Sequence, residues 1–156
     1  VSANMAMAAD MEVRASSTAT TGAYSSACQR GLPAILMERG GGGKFTDSEV
    51  QAYKQDVKNI MIRMGLLSGE EVHTVQQKNV TRAEYLEAET DGLWYPVFSA
   101  GDTFAGGAVL GTVRDIWGNL LREYRADYPG IVLYQTVGLG VKAGDPLIAY
   151  GEYVDR

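Results

Sequence analysis

The spacing of apolar positions changes character near residue 70. Before it, Val50, Tyr53, Val57, Ile60, Met61 and Met64 recur every three or four residues, the period of one helix face. Thr46 and Glu49 stand ahead of them as a Thr-x-x-Glu capping box, and Gly65 follows as a stop. The spacing predicts a helix over roughly 46–65. Upstream, Pro33–Met37 reads PAILM, a short continuous apolar run of the kind carried by a strand covered on both faces. A Ser/Thr-rich stretch ending at Gly31 fits a helix over roughly 20–30. Residues 1–15 carry no clear period. Residues 20–65 thus read helix, strand, glycine loop, helix: one turn of a doubly covered α/β sheet. No second strand of this kind occurs. A lone buried strand leaves its backbone groups unpaired, so its neighbours are expected on another chain or in a segment missing from this one.

After residue 70, glycines punctuate short apolar stretches and the helical period disappears. Strands are expected at Val80–Glu89, Leu93–Phe98, Ala108–Asp115, Asn119–Ala126, Ile131–Val137 and Leu147–Tyr150, a spacing that suits a small antiparallel β domain. The boundary falls in LSGEE, giving segments 1–67 and 68–156. Two stretches repeat at an offset of 38 residues: GLWYP at Gly92 with GIVLY at Gly130, and AGGAVLG at Ala105 with AGDPLIAYG at Ala143. Two such halves resemble the barrel-sandwich fold of biotinyl and lipoyl carrier domains. Those carriers need a lysine on the hairpin between the halves, here near Asp115–Asn119. No lysine lies between Lys78 and Lys142, so shared fold would not bring shared function.

Composition narrows the function. Of 156 residues, 46% are apolar, enough for a sizeable core, and the net charge of −5 argues against a nucleic-acid footprint. One cysteine, Cys28, allows no internal disulfide and makes a reduced, cytoplasmic setting the expectation. No apolar run approaches the length of about 18 residues that a membrane span needs. The start lacks the basic and apolar blocks of a signal peptide. Val1 rather than methionine is compatible with processing or with a fragment.

The candidate chemistry centres on LMERGGGGKF, Leu36–Phe45. Strand, glycine loop and helix are the setting of a phosphate loop, but Phe45 follows Lys44 where Ser or Thr should meet magnesium. Glu38 or Arg39 stands where the first glycine should be. The dinucleotide fingerprint fails at Thr46. Metal binding by this chain is not expected, because His73 is the single histidine and no zinc-site spacing involves it. Glu38 remains, at the C-terminal end of the predicted strand, the edge where open α/β sheets bind ligands. A carboxylate there can take a proton from water and hand it to a leaving amine, while the glycines let substrate approach the backbone. A structural Glu38, paired with Arg39 or a neighbouring loop, is the alternative.

Together, PAILMERGGGGKF, the capped helix ending in MGLL, GLWYPVFSAGDTFAGGAVLGTVRDIWG and VKAGDPLIAYG resemble the C-terminal half of the succinylglutamate desuccinylase/aspartoacylase family. The likeness runs from about Thr21 to Gly151. It implies the last part of a carboxypeptidase-like α/β domain followed by a small barrel-sandwich-like β domain. It also implies a zinc-dependent deacylase that hydrolyses the amide of an N-acyl amino acid, with Glu38 matching the glutamate that activates zinc-bound water. Arg39, Gly40 and Gly41 beside it, and Trp94 and Tyr95 in the β domain, are the substrate contacts expected on this basis, with Trp117 a further channel residue. The family's zinc ligands, a His-x-x-Glu pair and a later histidine, lie upstream of the matching region and are not in this chain. Arg39 replaces a more usual apolar residue. The expected partners are the small amide substrate, the missing N-terminal catalytic segment or subunit, and a second copy in a homo-oligomer. Two rival readings are a non-catalytic interaction or oligomerisation module without zinc, and one subunit of a split deacylase.

Overall fold

A computed structural model describes residues 1–155, which fall into two compact units, one built on Val1–Asn79 and the other on Val80–Val154. The first unit holds α1 (Ser2–Ala8), β1 (Val13–Ala15), α2 (Ala23–Gln29) and α3 (Asp47–Arg63). The capping box forms as read: the Glu49 N–H donates to Thr46 Oγ1 at 3.2 Å, and the Thr46 N–H donates to Glu49 Oε2 at 2.6 Å. Asp47 and Glu49 in the first turn and Arg63 in the last complement the helix dipole. Gly65, at φ 73°, ends the helix where the sequence placed its stop.

Two features of this unit differ from expectation. Pro33–Met37 forms no β ladder, and no strand among the described residues pairs with it. The apolar face of α3 is also not a core. Val50, Val57, Met61 and Met64 are exposed, while the residues α3 buries are Asp56 and Asn59. A buried polar group must be bonded, and both are. The Asn59 amide exchanges two hydrogen bonds with the Val72 backbone, donating to its C=O at 2.7 Å and accepting from its N–H at 3.0 Å. The α1 helix, unmarked by any period in the sequence, packs on α3.

The second unit contains every strand that the sequence predicts after residue 70: β2 (Lys78–Glu87), β3 (Gly92–Pro96), β5 (Val109–Arg114), β6 (Leu120–Arg125), β7 (Gly130–Gln135) and β9 (Pro146–Asp155), with two short additions, β4 (Thr103–Phe104) and β8 (Gly140–Val141). They form two sheets, one ordered β6-β5-β3-β8 and the other containing β2-β9-β7-β4. The two sheets stay open and form no closed barrel. Lys78 and Asn79, at the start of β2, belong to the first unit, where the Lys78 N–H donates to the Glu12 carbonyl at 2.6 Å.

The internal repeat explains this order. An offset of 38 residues carries β3 onto β7, and chain order carries β2, β4 and β5 onto β6, β8 and β9. Each half then lends its short strand to the other: β4 pairs antiparallel with β7, and β8 with β3. The glycines that open the repeat, Gly92 and Gly130, are needed because a Cβ would come within 2.7 Å of the Arg114 carbonyl oxygen and 2.5 Å of the Gly151 carbonyl oxygen, respectively.

The core draws on both sheets, with Trp94, Leu110, Val113 and Tyr124 from one and Val132, Leu147, Ile148 and Tyr150 from the other. Trp94 stacks edge-on against Tyr124 at 5.7 Å and lies flush on Gly111, where an added Cβ would stand 2.2 Å from the indole Cη2. Gly111→Ala therefore forces Trp94 or its strand to shift, at a cost of about 1–3 kcal/mol. A urea titration followed by tryptophan fluorescence should show a lowered midpoint; an unchanged midpoint would mean that the ring moves aside freely.

Candidate functional site

The four glycines after Arg39 are a turn device. Gly42 and Gly43 have φ of 61° and 69°, Gly41 and Lys44 form an antiparallel bridge, and the Lys44 N–H donates to the Gly41 carbonyl at 3.1 Å. Positive φ at both central positions is the signature of a tight two-residue hairpin, which side-chain-bearing residues resist. Gly40, at φ 74°, lies beside the α3 cap, where a Cβ would stand 3.2 Å from Glu49 Oε1. The loop thus turns tightly and returns the chain to the capping box.

Residues 37–39 are gripped by α3 from one side. Asp56 has no exposed side chain; its Oδ2 accepts from Arg39 Nε at 2.7 Å and its Oδ1 from Arg39 Nη2 at 3.0 Å. Arg39 Nη2 also donates to the Asp10 carbonyl at 2.7 Å, and the Asp10 N–H donates to Asp56 Oδ1 at 2.7 Å. The hydrogen bond to Asp56 holds the Arg39 pKa above its ordinary value. One turn earlier, the Tyr53 hydroxyl accepts from the Arg39 N–H at 2.7 Å and donates to the Met37 carbonyl at 3.1 Å. Glu38, between these two anchored peptides, is exposed, and no described side chain or backbone group bonds its carboxylate. The alternative in which Arg39 pairs with Glu38 does not form, because Asp56 takes the guanidinium.

The Asp10 carboxylate extends this network to the end of the unit. Its Oδ1 accepts from the Thr74 N–H at 2.7 Å and the Val75 N–H at 3.1 Å, and its Oδ2 accepts from the Thr74 hydroxyl at 2.6 Å. Burial works against the Asp10 charge, but these bonds and the nearby His73 outweigh it, and the pKa is lowered. His73 is bonded to Glu71 at 2.9 Å, and among the described residues no group of three His, Cys, Asp or Glu side chains could hold a metal ion. The described residues therefore do not fit a zinc site.

Of the residues singled out in the sequence, Glu38, Arg39, Gly40 and Gly41 lie together in the first unit, and Trp94 and Tyr95 belong to the second. Arg39 spends its guanidinium on Asp56 and Asp10. Trp94 is 2% exposed and packs the core where the sequence pointed to a ligand-facing ring; alternation along β3 turns the next residue, Tyr95, outward, 43% exposed. Trp117, 82% exposed, sits on a turn held by the Asp115 carboxylate, which accepts from the N–H groups of Trp117 and Asn119 at 2.8 Å each. The sequence reading passed over Asp10 and Asp56 and took Tyr53 only as one residue of an apolar face. One signal was available: a charged Arg39 beside an apolar run requires a counter-charge nearby.

No family model matches the chain, and no curated protein matches it. Solved structures do. The apo form of the ectoine utilization protein EutE (DoeB) from Ruegeria pomeroyi aligns with a TM-score of 0.81 and 26% identity, over 96% of this chain and 49% of that one. A succinylglutamate desuccinylase/aspartoacylase from Rhodobacter sphaeroides aligns with a TM-score of 0.81 and 22% identity, over 98% and 49% of the two chains. An aspartoacylase family protein from Mesorhizobium loti gives 0.75 and 21%, over 99% and 48%. The chain spans about half the length of these structures. That share fits a C-terminal portion, and the fold matches the C-terminal part of the aspartoacylase-like fold, in keeping with the family resemblance carried by the sequence.

Removing Arg39 would strand the buried Asp56 charge. Arg39→Ala is expected to destabilise the first unit by about 3–5 kcal/mol, seen as a lower urea midpoint in far-ultraviolet circular dichroism. A loss within error of zero would mean that Asp56 finds another partner. Asp10 has a depressed pKa, so its contribution is fully present above the ordinary carboxylate range and is lost as pH falls through the lowered value. The melting temperatures of the native protein and Asp10→Asn should therefore differ at neutral pH and converge in strong acid; a constant gap would contradict the bonding described.

Proposed function

From its likeness to the succinylglutamate desuccinylase/aspartoacylase fold, we propose that this chain is the C-terminal portion of a deacylase that hydrolyses the amide bond of an N-acyl amino acid or a similar small amide, with Glu38 as general base. The observation that carries the reading is the state of Glu38. Its carboxylate is exposed and unbonded while the peptides on both sides of it are anchored to α3. A carboxylate held this way can take a proton from an attacking water and deliver it to the departing amine nitrogen. Gly40 and Gly41, without side chains, leave the backbone beside Glu38 open to substrate. Arg39 serves this site by fixing the loop through Asp56. In the β unit, Tyr95 is exposed, and the family resemblance puts it forward as a substrate contact in the complete enzyme.

Zinc, which the resemblance implies, would be held by residues that this chain does not supply. Exposed apolar residues of the first unit support a partner segment. Leu32 and Leu36 are exposed on the unpaired stretch, Phe45 after the glycine loop, and Val50, Val57 and Met61 along α3. Apolar side chains exposed in such number are usual at interfaces, and the half-length coverage supports an N-terminal catalytic segment or subunit as the occupant. EutE (DoeB) has been solved with product bound. No helix among the described residues is long and apolar enough to cross a membrane.

In the complete enzyme, Glu38→Gln is expected to lower kcat by about 10²- to 10⁴-fold with metal content unchanged. Amine release and elemental analysis on the same preparation would check this, and near-native turnover would remove Glu38 from the mechanism.

A further inference from the structure

The backbone around Glu38 lacks the partner that a sheet would provide. In a β ladder, the carbonyl before a residue and the N–H after it bond to the neighbouring strand on the same side. Here, among the described residues, no strand pairs with the Met37 carbonyl or the Arg39 N–H. Both are instead satisfied by one side-chain atom, the Tyr53 hydroxyl, which donates to the first at 3.1 Å and accepts from the second at 2.7 Å. A tyrosine hydroxyl has one proton to give and lone pairs to accept with, so this bracket uses its full donor capacity. Tyr53 and Asp56 are three residues apart on α3 and so share a face. Asp56 holds the Arg39 side chain, and the Arg39 guanidinium carbon lies 6.0 Å from the centre of the Tyr53 ring. Residues 37 and 39 are half-buried and Glu38 is exposed. The same grip that turns the flanking residues to α3 leaves the carboxylate on the open side.

We infer that Tyr53 is a positioning residue for Glu38: its hydroxyl stands in for a missing strand, fixes the peptides on both sides of the carboxylate, and so sets where that carboxylate meets the attacking water. This role rests on the reading of Glu38 as general base. It goes beyond that reading by giving a helix residue, with no contact to the carboxylate, control over the geometry of proton transfer. Displacing a catalytic group by about 1 Å can cost roughly 100-fold in rate, and a phenylalanine at position 53 keeps the ring but frees both peptides.

The test uses the complete enzyme, assayed by amine release from N-acetyl and N-succinyl amino acids. Tyr53→Phe should lower kcat about 10- to 100-fold with KM within about twofold. Because Tyr53 acts through Glu38, the double variant Tyr53→Phe/Glu38→Gln should be no slower than Glu38→Gln alone. Native turnover in Tyr53→Phe overturns the role while leaving Glu38 as base. So do effects that multiply in the double variant, which would indicate general structural damage. If instead Glu38→Gln is active, the base assignment itself fails and the positioning role falls with it. A measurement on the unmutated enzyme covers a variant that does not fold. The Arg39 amide should be protected from hydrogen exchange by about tenfold or more over an unbonded amide, and free exchange there would show that the bracket does not exist.

Discussion

The first unit depends on the ion pair between Arg39 and the fully buried Asp56. A carboxylate without solvent must be paired and bonded or it will not stay charged. Asp56 meets that demand with two bonds from Arg39 and one from the Asp10 amide. This single requirement brings together three distant stretches: the segment after α1, the loop after the apolar run, and the middle of α3. Asp10 then carries the connection on to Thr74 and Val75 through its own carboxylate. The position of Glu38 is a by-product of this polar centre. The residue after it is pulled into α3, and the glutamate is left facing outward.

The two units are stabilised in different ways. The β unit has an ordinary apolar core with aromatic contacts, such as Phe104 against Tyr150 at 5.5 Å, and its buried tyrosines find backbone donors: the Tyr124 hydroxyl accepts from the Glu89 N–H at 2.8 Å and the Tyr150 hydroxyl from the Asp127 N–H at 3.1 Å. The first unit buries polar side chains and exposes apolar ones.

Local rules made much of this legible. The capping box and Gly65 placed α3 because they act within a few residues. Alternation and turn glycines located six strands for the same reason. The sequence reading missed what depends on distant partners. PAILM reads as a buried strand from its continuous apolar run, but no strand pairs with it among the described residues. Val50, Val57 and Met61 have the period of a core face, but period cannot say whether the core is present. Trp94 and Tyr95 are adjacent in the sequence, but strand alternation sends neighbours to opposite faces and makes one a core ring and the other a surface ring. Asp56 was passed over because its partner, Arg39, lies 17 residues away on a segment with no regular structure. Glu38 stands out as a candidate because a carboxylate at the end of an apolar run is visible without any tertiary information.

The exchanged strands of the β unit bear on how it is made. Because β4 belongs beside β7 and β8 beside β3, neither half of the repeat contains a finished sheet of its own. The first half emerges from the ribosome with β4 unpartnered and must wait for the second. The two strands farthest apart in this unit, β2 and β9, are neighbours in the final sheet. Pairings of such long sequence separation form slowly, because loop closure precedes any gain from contact. A duplicated motif that could have produced two small independent folds has become one cooperative unit, complete only when its last strand is synthesised.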